Sequence, residues 1–114
     1  MTPDGLLLCD DLLFASKVTS TARAHGKAVT VCRDWPRLLA MLADGSPQAV
    51  LLDLQNPTLD LTAVVGWSGI RVVAFGSHVD AASLKAARAA GCDPVLPRSK
   101  FTTALEVELR GWLS

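Results

Sequence analysis

Ala49-Val50-Leu51-Leu52-Asp53 is the stretch that decides the fold: four apolar residues in succession, closed by a carboxylate. A strand with one face in water alternates apolar and polar residues, whereas a run apolar at every position is covered on both faces. The same design recurs on either side. Toward the N-terminus stand Leu6-Leu7-Leu8-Cys9, closed by Asp10-Asp11, and Ala28-Val29-Thr30-Val31-Cys32, preceded by His25-Gly26 as a helix stop. Toward the C-terminus stand Val72-Val73-Ala74-Phe75, closed by Gly76-Ser77, and the short Val95-Leu96 between Pro94 and Pro97.

Helical patterns fill the intervals. Phe14, Val18 and Ala22 share a face within Leu12 to Ala24. Asp34-Trp35-Pro36 supplies a cap and an early proline, Gly45 a stop, and Leu38, Leu39, Met41 and Leu42 a buried stripe. One short helix is expected around Leu59 to Val65. Asp80 caps an alanine-rich helix that runs to Gly91. Thr102 or Thr103 caps the last helix, in which Leu105, Leu109 and Trp112 share a face. Strand and helix thus alternate five times. With right-handed crossovers this predicts an α/β fold, a doubly wound, flavodoxin-like, five-stranded parallel sheet.

The chain has 114 residues, which fits a single domain over 1–114. Half of its residues are hydrophobic and 19% are charged, enough for a packed core. Lys+Arg and Asp+Glu are 11 each, so the chain offers no basic stripe for a nucleic acid and no patch for an anionic membrane. No apolar run approaches the roughly 20 residues of a membrane span, and the N-terminus lacks the basic start of a signal peptide, so a cytoplasmic location is expected. Cys9, Cys32 and Cys92 form no metal-type spacing and read as small buried hydrophobes. Trp35, Trp67 and Trp112 are too dispersed for a base-stacking platform. There is no phosphate-binding glycine loop and no G-x-S-x-G. An enzyme with its own nucleophile is not expected.

Ligands of doubly wound sheets bind outside the carboxyl ends of the strands. Asp10, Asp11, Asp53 and Gly76-Ser77 all stand there. Each carboxylate also has a plainer reading: Asp10 or Asp11 as a helix cap, Asp53 as a strand-end turn. Together, LLLCDD, AVLLDLQNP, VVAFGSH and AAGCDPVLPRSKF resemble the receiver domain of two-component response regulators, in order and along the whole chain. The resemblance implies strand order 2-1-3-4-5. It also implies Mg²⁺ held by Asp10, Asp11, Asp53 and the backbone carbonyl of Gln55, with Asp53 as phospho-acceptor. Mg²⁺ favours such an oxygen set and would offset the charge of an incoming phosphoryl group. Pro57 matches the loop proline.

The departures from the receiver pattern are specific. The hydroxyl residue expected at the end of the fourth strand is Gly76, with Ser77 next to it as a substitute. The lysine-proline pair after the fifth strand is Arg98-Ser99, with Lys100 as a second candidate. Arginine forks onto carboxylates or phosphates, unlike the single-point ammonium of lysine. The aromatic residue of the fifth strand is Val95. Neither hydroxyl nor ring is therefore present for the receiver switch, so a pseudo-receiver and a phosphorylated receiver with another readout both stand.

The resemblance implies protein partners: a histidine kinase, a phosphotransfer protein or a downstream target. A homodimer through the fourth and fifth helices is a further expectation, and no output domain is expected after the fifth helix. Leu13, beside the acidic pair, is the exposed member of Leu12-Leu13-Phe14 and could dock a partner, or could staple a neighbouring loop. His78 reads as a surface-loop residue and His25 as the end of a helix. The rival reading is a small-ligand-binding or catalytic flavodoxin-like domain using the same crevice.

Overall fold

The computed structural model describes residues 2–114. Five strands, β1 (Gly5–Leu8), β2 (Val29–Cys32), β3 (Ala49–Asp53), β4 (Arg71–Gly76) and β5 (Val95–Pro97), form one parallel sheet in the order β2-β1-β3-β4-β5. The helices α1 (Leu12–Ala24), α2 (Trp35–Asp44), α3 (Leu61–Val64), α4 (Ala81–Ala89) and α5 (Arg98–Trp112) connect and follow them. No helix among the described residues is long and apolar enough to cross a membrane.

Alternating side chains of the apolar runs enter two separate cores. Leu7, Cys9, Leu51, Val73 and Phe75 pack against Val18 of α1 and Phe101, Leu105, Leu109 and Trp112 of α5. Leu6, Leu8, Val50, Leu52 and Ala74 point the other way, onto Leu38 of α2, Val64 of α3 and Leu84 of α4. The strands therefore needed no polar positions, and both faces of the sheet are covered. Each fully buried leucine contributes about 1.5–3 kcal/mol by leaving water. The two edge strands depart from this: the first three residues of β2 and the last two of β5 are half-buried.

The helix ends follow their residues. Asp11, Asp34, Asp60 and Asp80 each cap a helix by accepting a backbone N–H. Gly26 (φ 74°) and Gly91 (φ 98°) take the left-handed conformation just after α1 and α4. His25 lies at the α1 C-terminus and His78 in the exposed β4–α4 loop.

Two expectations need correction. The last helix begins at Arg98, four residues ahead of Thr102, with Pro97 as its cap residue and no capping side chain. Proline offers the sheet no N–H, so pairing stops at Gly76↔Pro97 and the chain coils at once. The hydroxyls of Thr102 and Thr103 instead donate to the carbonyls of Arg98 (2.9 Å) and Ser99 (3.1 Å). In α2, Leu39 is not part of the buried stripe but is 42% exposed, because Trp35 and Leu38 set the inward face.

Candidate functional site: an arginine-bridged carboxylate crevice

The register of the central strands builds the crevice. β1 and β3 run side by side with Leu8 opposite Leu52, so Asp10 and Asp11 leave β1 beside Asp53 at the end of β3. Phe75 of β4 lies opposite Asp53 on the far side. β5 is a further strand away, and strands are spaced about 4.8 Å apart. Only a long side chain can return from the end of β5 to β3, and Arg98 does so.

The Arg98 guanidinium bridges two carboxylates. Its Nη2 donates to Oδ2 of Asp53 at 3.0 Å, and its Nη1 donates to Oδ2 of Asp11 at 3.2 Å. The Asp53 side chain is 4% exposed, whereas that of Asp11 is 44% exposed. The other oxygens are engaged too. Oδ1 of Asp53 accepts the backbone N–H of Gln55 at 3.0 Å, and Oδ1 of Asp11 accepts that of Phe14 at 3.2 Å. Asp11 is thus both the α1 cap and a partner of Arg98 in the crevice.

An aromatic floor fixes the bridge in place. The Arg98 Cζ lies 4.4 Å from the centroid of Phe14 and 5.7 Å from that of Phe75. Phe14 and Phe75 are themselves in contact at 5.1 Å, and Phe75 stacks on Phe101 at 4.3 Å. A guanidinium stacked on rings and forked onto carboxylates has little rotamer freedom left. The Asp11 cap orients the first turn of α1, and Phe14 in that turn supports the arginine that Asp11 holds.

Burial pushes the Asp53 carboxyl above its ordinary range, with the Gln55 amide and Arg98 pulling it back and the charge of Asp10 adding to the rise. Asp11 moves the other way, held low first by the Phe14 amide and then by Arg98. Cys9, whose thiol lies 3.8 Å from Oδ2 of Asp53, is pushed up to about 11, mainly by burial. All three cysteines are buried and free.

The structure therefore brings together Asp11, Asp53 and Arg98, with Asp10 exposed at the margin. Gln55 contributes its N–H to Asp53. Ser77 turns back on its own loop, where its Oγ accepts the N–H of Val79 at 3.4 Å. Lys100 is exposed and makes no ion pair among the described residues. A Cβ placed on Gly76 would lie 3.3 Å from Leu54 Cβ and 3.7 Å from Leu84 Cδ2, so leucines fill the space beside that position. Sequence reading did not anticipate the roles of Phe14 and Leu54. The spacing of Phe14 three residues after a capping aspartate was the available signal for the first.

Mg²⁺ prefers an oxygen cage with several waters. Here the facing oxygens of Asp11 and Asp53 already bind the two ends of one guanidinium. Among the described residues no three His, Cys, Asp or Glu side chains are arranged to hold a metal ion. In this arrangement the residues do not fit the ion.

Fold and crevice together define a doubly wound domain with a carboxylate centre at the topological switch point of its sheet. Comparison with solved structures places that architecture. The chain superposes on the receiver domain of the Francisella response regulator 1452 with TM-score 0.81 and 17% identity, covering 97% of this chain and 96% of that one. It matches a putative response regulator from Chloroflexus aurantiacus with TM-score 0.81 and 18% identity, covering 96% and 95%. A receiver domain protein from Methanospirillum hungatei gives TM-score 0.81 at 14% identity, covering 96% and 91%. The chain has the response-regulator receiver fold. No protein-family model and no curated protein matches the sequence.

Proposed function

We propose that this chain is a receiver-like signalling module that acts by binding other proteins, with Asp53 held by Arg98 and not turned over by metal-dependent phosphoryl transfer. The observation that carries this reading is the Asp53–Arg98–Asp11 bridge at the place where the receiver fold carries its acidic centre. The missing switch supports it: Gly76 has no hydroxyl, and a Cβ at that position would meet Leu54 at 3.3 Å.

The crevice rim supports partner binding. Leu12 is 61% exposed and Leu13 87%, so Leu13 staples no loop. Apolar side chains placed beside Asp10 and Asp11 give a surface that is part acidic and part greasy, of a kind that suits a protein partner better than a nucleic acid. The partner class is a downstream target or a signalling protein of the kinase or phosphotransfer type. The module has no nucleophilic chemistry of its own, and the cytoplasm is the compartment this reading implies.

The small-ligand alternative gains nothing from the cavities. One of about 260 Å³ is lined by Thr2, Pro3, Met41, Asp44 and Gly45, at the opposite end from Asp53. Another, of about 310 Å³, lies between α3 and α4.

Intact mass after incubation with Mg²⁺ and a small-molecule phosphodonor, run beside Asp53→Asn, tests the reading. The expected result is no phosphoryl adduct on either protein. An adduct on the wild type that is missing from Asp53→Asn would overturn it and make Asp53 a working acceptor.

A further inference from the structure

We propose that the Arg98 guanidinium is the resident cation of the crevice and that its fork across Asp11 and Asp53 keeps a divalent metal ion out. The inference draws on the receiver-like reading only for the choice of competing ion; its own basis is the geometry of the bridge.

A divalent ion shared by Asp11 and Asp53 would compete for the oxygens that now accept from Nη1 and Nη2, because the Oδ1 atoms already accept the Gln55 and Phe14 amides. It would therefore occupy the position of the guanidinium itself, or sit beside it and meet its positive charge. The guanidinium is not free to leave. Phe14 and Phe75 lie beneath it, and the backbone that carries it is the first residue of α5, directly after the β5 pairing ends. Moving it outward would break two charge-assisted hydrogen bonds and the ring contacts together, and would leave the buried Asp53 uncompensated until the ion arrived.

Shape explains why arginine does this and lysine would not. A guanidinium presents two parallel donors and satisfies two carboxylates from a single site. An ammonium at the same position is a point charge that satisfies the buried Asp53 and leaves Asp11, with exposed Asp10, free to face an ion and its waters. The fork, and not positive charge alone, closes the site.

Mn²⁺ titration followed by water-proton relaxation tests this on the wild type, Arg98→Ala and Arg98→Lys, with the fold of each checked by circular dichroism. The wild type is expected to show no saturable site into the millimolar range. Each variant should gain a site that Mg²⁺ competes for, tighter than any wild-type binding by a factor on the order of ten or more, with the larger gain in Arg98→Ala. Arg98→Lys, which keeps a partner for Asp53, carries the test should Arg98→Ala fail to fold. Wild-type binding as tight as that of the variants overturns the proposal. So does a set of folded variants that gain nothing, since something other than the fork would then exclude the ion. A phosphoryl adduct on Asp53 of a wild type that still binds no divalent ion would overturn the expected absence of an adduct under the proposed function while leaving this inference standing.

Discussion

Replacing Arg98 with alanine removes the counter-charge of a carboxylate that is 4% exposed and of one that is 44% exposed. Breaking a buried pair by deleting one partner costs about 3–5 kcal/mol. Arg98 itself is 32% exposed, so water can enter behind the deletion, and the Asp53 share falls to about 2 kcal/mol. The exposed Asp11 contact is screened by water and is left out of the sum, and losing the stack on Phe14 adds about 0.5–1 kcal/mol. The sum is about 3 kcal/mol at neutral pH, or a melting temperature lower by roughly 10 °C for a domain of this size.

Urea unfolding of Arg98→Ala and the wild type, with unchanged denaturant slopes, reads the difference. A double-mutant cycle with Asp53→Asn isolates the bridge. Once the charge is gone there is nothing left uncompensated, so Arg98→Ala in that background should cost only about 1 kcal/mol, giving a coupling near 2 kcal/mol. Asp53→Asn alone should be close to neutral, because burial already disfavours the ionised form. A loss below about 0.5 kcal/mol for Arg98→Ala, or strict additivity in the cycle, would refute the reasoning.

Three further outcomes follow from the same contacts. Because the folded Asp53 carboxyl titrates above its ordinary value, the stability that its protonation provides is present below the unfolded value and lost as pH rises through the folded one; carbonyl-detected NMR should show the raised midpoint, and Arg98→Ala should raise it further. Gly76→Ser should destabilise by about 1 kcal/mol, because its Cβ would meet Leu54 Cβ at 3.3 Å, with Leu54→Ala relieving much of it; an additive pair in urea melts would count against the packing. Cys9 and Cys92, both pushed up to about 11, should resist a thiol reagent at pH 8 in the folded protein, while all three cysteines should react in denaturant; rapid labelling of native protein would contradict their burial.

Much of the fold was legible because parallel strands covered on both faces leave a local signature. Leu6 to Cys9, Ala49 to Leu52 and Val72 to Phe75 are apolar without interruption, and each is central in the sheet. The caps were legible for the same reason: Asp34 and Asp80 act on N–H groups three residues ahead. The start of α5 was not, because it rests on what Pro97 withholds from the sheet, while Thr102 and Thr103 carry cap-like side chains that the helix interior absorbs.

The site was half legible. Strand ends identified Asp11 and Asp53, and resemblance singled out Arg98, but the bridge joins residues 87 and 45 positions apart. Its geometry depends on Phe14 lying under the guanidinium, a contact between α1 and α5 that no local pattern encodes. The exposure of Lys100 and the turned-back Ser77 likewise depend on where the first turn of α5 and the β4–α4 loop lie in space.

The most direct test is a high-resolution crystal structure grown in excess Mg²⁺. The Arg98 guanidinium is expected between Oδ2 of Asp11 and Oδ2 of Asp53, stacked on Phe14, with no ion shared by the two carboxylates. An octahedral ion about 2.0–2.1 Å from an Asp53 oxygen and the Gln55 carbonyl, with Arg98 swung out of the crevice, would contradict it.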